Sequence, residues 1–422
     1  MAEYIIKGGA ALSGEVDIHG AKNAVLPILA ATLLTPKSTI LNCPKLSDVS
    51  VACSILEHLG CGVKRQDDCI NVDADQLTSS TIHEDLMRKM RSSIVFLGAI
   101  IARCGQARVS LPGGCELGPR PINLHIESLE KLGVKIVEDH GYLNCTAPNR
   151  LRGTSISLEI PSVGATENIM LAACTAQGET VIHNPAREPE INDLAAFLQK
   201  AGAKIYIGEN GTIYIQGVDR LCQVEHSVIP DRIEAATYLC CAAITGGQVQ
   251  LKKAKTSHMT ALLPLLEEAG CQLKVTGDSI YLAAPKRPKA PKVVRTNPYP
   301  GFPTDAQSPF MALSCIAEGS SIFVENIFEN RYKHVAELVR MGAKIKVEGK
   351  VAVVEGVPAL HGAEVVCTDL RGGACLCCAA LAAQGQSRIK DIYHVQRGYQ
   401  DFEPALKALG ADIVMNEGQE KG

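Results

Sequence analysis

Two textures of apolar residues alternate along the chain. One is a helical stretch that is apolar on nearly every face and rich in small residues: NAVLPILAATLL, SIVFLGAIIARCG, NIMLAACTAQGE, EAATYLCCAAITGG, PFMALSCIAEG and GACLCCAALAAQG. A helix without a polar face has to be buried, so these six are predicted to form the cores. The other texture is a helix end followed by strand-like alternation: LEHLGCGVK, LEKLGVKI, LQKAGAKI, LEEAGCQLK, LVRMGAKI and LKALGADI. Each carries a glycine just past the helical pattern, at Gly60, Gly133, Gly202, Gly270, Gly342 and Gly410, at intervals of 68 to 73 residues. Glycine enters the left-handed region at little cost, so that position reads as a helix C-terminus. Runs such as Lys204–Ile215, with Asn210-Gly211 at the turn, then predict hairpins.

A period near 70 residues exceeds that of the common solenoid repeats and predicts compact α/β subdomains. In 422 residues, six such units divide into two domains of three. The division falls near Ser227–Asp231, giving one domain over residues 22–229 and a second over 230–422 joined by the N-terminal residues 1–21.

Composition narrows the function. Forty-two Lys and Arg against 45 Asp and Glu leave a net charge of −3, too balanced for wholesale nucleic-acid binding. Ten Tyr, seven Phe and no Trp also argue against stacking platforms for single strands. The N-terminus has no signal-like apolar region, and the longest apolar runs are too short to span a membrane, so a cytoplasmic protein without membrane contact is expected. Seventeen cysteines without an export signal are expected to be thiols. Cys375 and Cys378 form a nominal C-x-x-C, but inside an apolar helix it reads as core. No metal-ligand spacing and no phosphate-binding G-x-x-x-x-G-K-[ST] occurs, so no cofactor is expected. Six prolines and five basic residues over Pro285–Pro303 read as a solvated connection.

Candidate chemistry lies at the starts of the buried helices, where polar residues differ between repeats: Lys22-Asn23, Arg91-Ser92, Thr166-Glu167-Asn168, Asp231-Arg232, Thr304-Asp305 and Asp369-Leu370-Arg371. Shared scaffold with unshared polar starts suggests convergence on one anion-binding cleft, because helix N-termini offer free N–H groups. Cys115 sits among three Gly and three Pro in Pro112–Pro121, a loop too long for a simple turn. A loop thiol beside Arg120, with a reference pKa of about 8.5, can donate a proton near neutrality. Asp305 at a helix start reads on the residues alone more readily as an N-cap than as a base, since Asp caps are common and catalytic ones rare.

The stretches GAKNAVLPILAATLL, LPGGCELGPRPINLHIESLEKLG, PSVGATENIMLAA, PYPGFPTDAQ, FENRYKHVAEL, DLRGGA and RGY closely resemble the UDP-N-acetylglucosamine enolpyruvyl transferases, from about Tyr4 to about Ile413. The resemblance implies a two-domain α/β fold, an inside-out α/β barrel of six βαβαββ-like units around buried helices, with the active site between the domains. It implies transfer of the enolpyruvyl group of phosphoenolpyruvate to the 3′-hydroxyl of UDP-N-acetylglucosamine, opening peptidoglycan precursor synthesis. By the same resemblance Cys115 is the general acid, able to carry a phosphoenolpyruvate adduct and to be alkylated by fosfomycin, and Asp305 is the base. Lys22, Asn23, Arg120 and Arg397 would hold phosphoenolpyruvate. Arg91, Arg120, Pro121, Ile122, Asn123, Leu124, Ser162, Val163, Gly164, Asp305 and Ile327 would line the nucleotide-sugar site, with Arg331, Asp369 and Arg371 in support. Read without the resemblance, Asp369 is equally an N-cap and Arg371 a helix-surface charge.

The chain departs from the family pattern at Gly372-Gly373, where Ala-Ser is commoner, at Tyr332-Lys333, where Phe-Met is commoner, and at Glu116 and Pro119. Two alternatives stay open at this level: enolpyruvyl transfer to shikimate 3-phosphate, which uses the same architecture, and a nucleotide-sugar-binding regulator with impaired chemistry.

Overall fold

A computed structural model describes residues 2–111, 122–147 and 149–417. Among them, α/β units build six four-stranded sheets, all on one plan. The third unit shows it complete. Strand Ser155–Ser157 leads into the central helix Val163–Ala173, and strand Glu179–His183 returns parallel to the first. Helix Pro189–Lys200 then feeds the hairpin Lys204–Ile207 and Ile213–Gln216, whose second strand pairs antiparallel with Glu179–His183. The six expected C-terminal glycines have φ between 92° and 103°, the conformation for which glycine is suited.

Three sheets are completed by strands from elsewhere in the sequence. Val224–Ser227, after the third unit, pairs parallel with Lys37–Leu41 of the first. Ser13–Asp17 opens the fourth sheet against Gln248–Lys252. Glu3–Lys7 fills the sixth sheet, antiparallel to both Gln386–Lys390 and Asp412–Asn416. The N-terminal segment therefore ties the fourth unit to the sixth, and 224–227 ties the third to the first.

Contacts divide the chain into two compact units: the described residues of Met1–His19 and Pro230–Gly422, and those of Gly20–Cys115 and Pro119–Ile229. Gly20 and Ala21 pack with the latter: Ala21 N donates to Ile229 O, and a Cβ on Gly20 would lie 1.8 Å from Asn42 O. Each unit has its own apolar core around its central helices. In one, Arg232–Ile244, Thr304–Cys315 and Leu370–Ala382 pack on one another. In the other, Phe96–Cys104 packs on Lys22–Ala31 and on Val163–Ala173. The small residues explain the close approach, since a Cβ on Gly98 would stand 2.4 Å from Asn168 O. Cys375 and Cys378 are wholly buried in this packing, and burial pushes their thiols well up.

Two local expectations change. Pro285–Pro303 keeps its charged side chains in solvent, but it is not merely a connection. Val293–Arg295 forms the edge strand of the fifth sheet, with Val294 buried, because alternate residues still face the core. The Gly372-Gly373 departure has a packing cause: a Cβ at Gly373 would meet Val395 Cγ2 at 2.7 Å and Cys367 Sγ at 2.8 Å. Among the described residues, no helix is long and apolar enough to cross a membrane.

Candidate active site

In the Gly20–Ile229 unit the expected residues again fall at helix starts. Lys22 is the first residue of its helix, and its Nζ lies 2.7 Å from Asp48 Oδ2, both side chains at most 10% exposed. Asp48, in the first turn of helix Ser47–His58, was not singled out by the sequence. Asn23 beside Lys22 is exposed. Arg91 begins the short turn Arg91–Val95 that runs into Phe96–Cys104. Ile122, Asn123 and Leu124 form the start of helix Asn123–Lys131. Ser162 caps helix Val163–Ala173, its Oγ accepting from Ala165 N at 3.3 Å, with Val163 and Gly164 half-buried in the first turn. Unshared N–H groups at such helix starts suit an anionic ligand.

The other unit builds its cluster around Asp305. Pro303 occupies the cap position of helix Thr304–Cys315, so Asp305 is not the N-cap but a first-turn residue. Its Oδ1 accepts from Arg331 Nη2 at 3.1 Å, and its Oδ2 from Arg371 Nε at 3.2 Å and Nη2 at 3.1 Å. Both guanidiniums are buried while the carboxylate side chain is 26% exposed, so Asp305 is the accessible member of the trio. Two cations at this range favour the ionised carboxylate. Arg371 is therefore not a helix-surface charge, whereas the cap reading of Asp369 holds: its Oδ1 accepts from Arg371 N at 3.0 Å and Gly372 N at 2.9 Å.

Glu325, another residue that the sequence did not single out, organises the same region. Its carboxylate accepts from Thr304 Oγ1 at 3.1 Å and from Ile327 N and Phe328 N at 2.8 and 3.0 Å, fixing the turn that carries the exposed Ile327. Tyr332, one of the departures, ties down through its hydroxyl to Phe323 O and Lys350 O. His334 lies fully buried. Burial pushes its imidazole down to about 4; the nearby Asp369 opposes this, the Arg331 guanidinium adds to it, and a hydrogen bond with the Arg331 backbone opposes it.

Arg397 is half-buried after the short helix Tyr393–Gln396. Two residues on, the Tyr399 ring lies 5.2 Å from the Arg371 guanidinium carbon and its hydroxyl 2.9 Å from Thr237 Oγ1, linking that turn to the Asp305 cluster. Pro27 and Pro309 stand four residues after Asn23 and Asp305, so neither carbonyl receives the usual helical N–H from that position. Cys115, Arg120, Pro121, Glu116 and Pro119 lie outside the described residues, as does the side chain of Arg91.

The chain and its fold have counterparts among known proteins. The EPSP synthase (3-phosphoshikimate 1-carboxyvinyltransferase) family matches residues 6–406. UDP-N-acetylglucosamine 1-carboxyvinyltransferase 2 of Caldanaerobacter subterraneus subsp. tengcongensis is 52% identical over 98% of this chain and 99% of its own. UDP-N-acetylglucosamine 1-carboxyvinyltransferase 1 of Symbiobacterium thermophilum is 51% identical over 97% and 94%. In three dimensions the enolpyruvyl transferase NikO of Streptomyces tendae superposes with a TM-score of 0.90 at 25% identity, covering 98% of this chain and 99% of that one. The chain belongs to the enolpyruvyl transferases and, within them, to the UDP-N-acetylglucosamine 1-carboxyvinyltransferase family. The two-domain α/β architecture expected from the sequence is that of this family.

Proposed function

We propose that the chain transfers the enolpyruvyl group of phosphoenolpyruvate to the 3′-hydroxyl of UDP-N-acetylglucosamine and releases phosphate, in the cytoplasm, as the first committed step of peptidoglycan precursor synthesis. The observation that carries this reading is Asp305, a partly exposed carboxylate held by two buried arginines, in a chain half identical to proteins of that name. In the addition step the sugar oxygen bonds to C-2 of phosphoenolpyruvate, its proton passes to Asp305, and Cys115 gives a proton to C-3. In the elimination step C-3 returns a proton, the C–O bond to phosphate breaks, and the enol ether remains. Arg331 and Arg371 hold Asp305 aligned and ionised, as a base requires.

Lys22, Asn23, Arg120 and Arg397 bind phosphoenolpyruvate in this reading, guanidinium forks matching carboxylate and phosphate oxygens. Arg91, residues 120–124, Ser162–Gly164, Asp305 and Ile327 bind the nucleotide sugar, with backbone N–H groups at the helix starts facing its phosphates. Asp369 and Glu325 keep Arg371 and Ile327 in place. Phosphate release from phosphoenolpyruvate, assayed separately with UDP-N-acetylglucosamine and with shikimate 3-phosphate, tests the proposal. Release with the nucleotide sugar alone is expected. Release with shikimate 3-phosphate alone, or nucleotide-sugar binding without turnover, would overturn it.

A further inference from the structure

Of the polar residues at the buried helix starts, Asn168 has no part in the chemistry above, yet it is fully buried and makes contacts with three separate segments. Its Oδ1 accepts from Gly98 N at 2.6 Å. Its Nδ2 donates to Ile94 O at 3.0 Å and lies 2.7 Å from His125 Nδ1. The amide can be oriented only one way. Gly98 offers a donor and needs the oxygen, and Ile94 offers a carbonyl and needs the NH2 group. One amide hydrogen goes to Ile94 O, which leaves the other for His125 Nδ1. That nitrogen must then be an acceptor, so the imidazole is neutral with its proton on Nε2.

Two of the partners, Ile94 and His125, lie on or beside segments assigned to the nucleotide sugar. Ile94 lies in the Arg91–Val95 turn, and His125 directly follows Leu124. Asn168 itself is one turn beyond Ser162–Gly164. The His125 ring edge rests on that last segment: a Cβ at Gly164 would fall 2.9 Å from His125 Cε1 and 3.2 Å from Nε2. A glycine at 164 lets the protonated edge of the ring lie against the backbone of the helix start.

We propose that Asn168 is a positioning residue for nucleotide-sugar binding: its amide locks the Arg91–Val95, Ile122–His125 and Ser162–Gly164 segments together and fixes His125 as the Nε2–H tautomer. The inference rests on assigning these segments to the nucleotide sugar. A packing role alone would make Asn168 matter for stability and would give no reason for selectivity between the two substrates. The positioning role makes the loss fall on the nucleotide sugar, because Ile94, His125 and Asn168 itself lie on or beside the segments assigned to it.

Two measurements test this on the full chain. The first is the nitrogen-15 NMR pattern of His125 in the unsubstituted protein without ligand, assigned by its loss in His125→Gln. The Nε2–H tautomer is expected, and an Nδ1–H tautomer, a mixture or an imidazolium at pH 7.5 would overturn the proposal. The second is steady-state kinetics of Asn168→Ala, with circular dichroism to confirm folding. A rise of about tenfold or more in KM for UDP-N-acetylglucosamine, the size of one lost hydrogen-bonding group, is expected, with KM for phosphoenolpyruvate and kcat within about threefold. Equal losses in all three constants, or none, would overturn it. If the unsubstituted protein shows the expected tautomer but no turnover with the nucleotide sugar, the functional reading has failed, while the lock on His125 stands.

Discussion

His334 offers a direct test of the electrostatics beneath the Asp305 cluster. The imidazole is fully buried, and its value falls from 6.5 to about 4, chiefly through desolvation, with the Arg331 guanidinium adding to the effect. An unfolded chain protonates this group near 6.5, whereas the folded chain holds it neutral down to about 4. Over that interval the unfolded state binds more protons, so stability falls as the pH drops through it. At no more than about 1.36 kcal/mol per unit, the drop between pH 6.5 and 4.5 is roughly 2 kcal/mol from this one residue.

The perturbation is His334→Gln, which remains neutral throughout. The chain has no Trp, so unfolding in urea is followed by far-ultraviolet circular dichroism at a series of pH values. Loss of packing shifts the variant by a constant amount, and the signal is the difference in slope. The unsubstituted protein should lose about 0.5 M or more of urea midpoint relative to the variant between pH 7 and 4.5, for a slope of about 3 kcal/mol/M. Parallel midpoints across that range would refute the argument and mean that His334 is solvated or paired in solution.

Three further outcomes are expected. Asp305→Asn should lower kcat by at least about a hundredfold with substrate affinity by calorimetry nearly unchanged, since Asn is close in shape but takes no proton. Asp48→Asn removes the anion facing buried Lys22 and should cost about 3 kcal/mol of stability, seen as a lower thermal midpoint that phosphoenolpyruvate partly restores. Cys115→Ser should nearly abolish turnover, because an alcohol is too weak an acid near neutrality. Cys115→Asp should keep activity with a pH optimum moved to acid, read from pH–rate profiles, and should keep that activity after incubation with fosfomycin, which has no thiol left there to alkylate.

The local rules of the fold were legible because each depends on neighbours in sequence. Gly60 and its five counterparts follow from helix termination, and the buried helices from the lack of a polar face. The strand exchanges were not legible. Ser13–Asp17 and Gln248–Lys252 are far apart in sequence, and a five-residue strand with ordinary alternation carries no mark of its partner. Asp48 and Glu325 were hidden as well, though not by so great a distance: the amides that Glu325 accepts from are only two and three residues on. Each looks like a surface carboxylate until a buried lysine or a turn of backbone amides is brought to it. Asn168 was visible as a polar residue in an apolar helix, but its partners Gly98 and His125, 70 and 43 residues away, were not. Asp305 shows the ambiguity at its sharpest. A cap and a base need the same residue at nearly the same position; the helix start at Thr304, with Pro303 as its cap, removes the cap reading, and the paired Arg331 and Arg371 suit the proposed base.

The placement of charge at the helix starts separates scaffold from site. A helix N-terminus carries partial positive charge, so an unconstrained fold puts acids there. Asp231 and Asp369 follow that rule as caps. Lys22 and Arg371, at the first and second positions of their helices, break it, each at a cost of order 0.3–1 kcal/mol before desolvation is counted. Both are buried, and both are faced by a carboxylate, Asp48 and Asp305 respectively. Such an arrangement holds more positive potential than folding needs, and it is stable because the compensating acids are built in. It follows that Asp305 has two separable effects. Replacement by Asn removes the proposed base, but it also leaves Arg331 and Arg371 in the interior without this anion, so stability should fall together with turnover. Asp305→Glu keeps the charge and moves the oxygens by one methylene. It should recover much of the stability and little of the rate, and recovery of both in proportion would mean that the carboxylate serves only to neutralise the arginines.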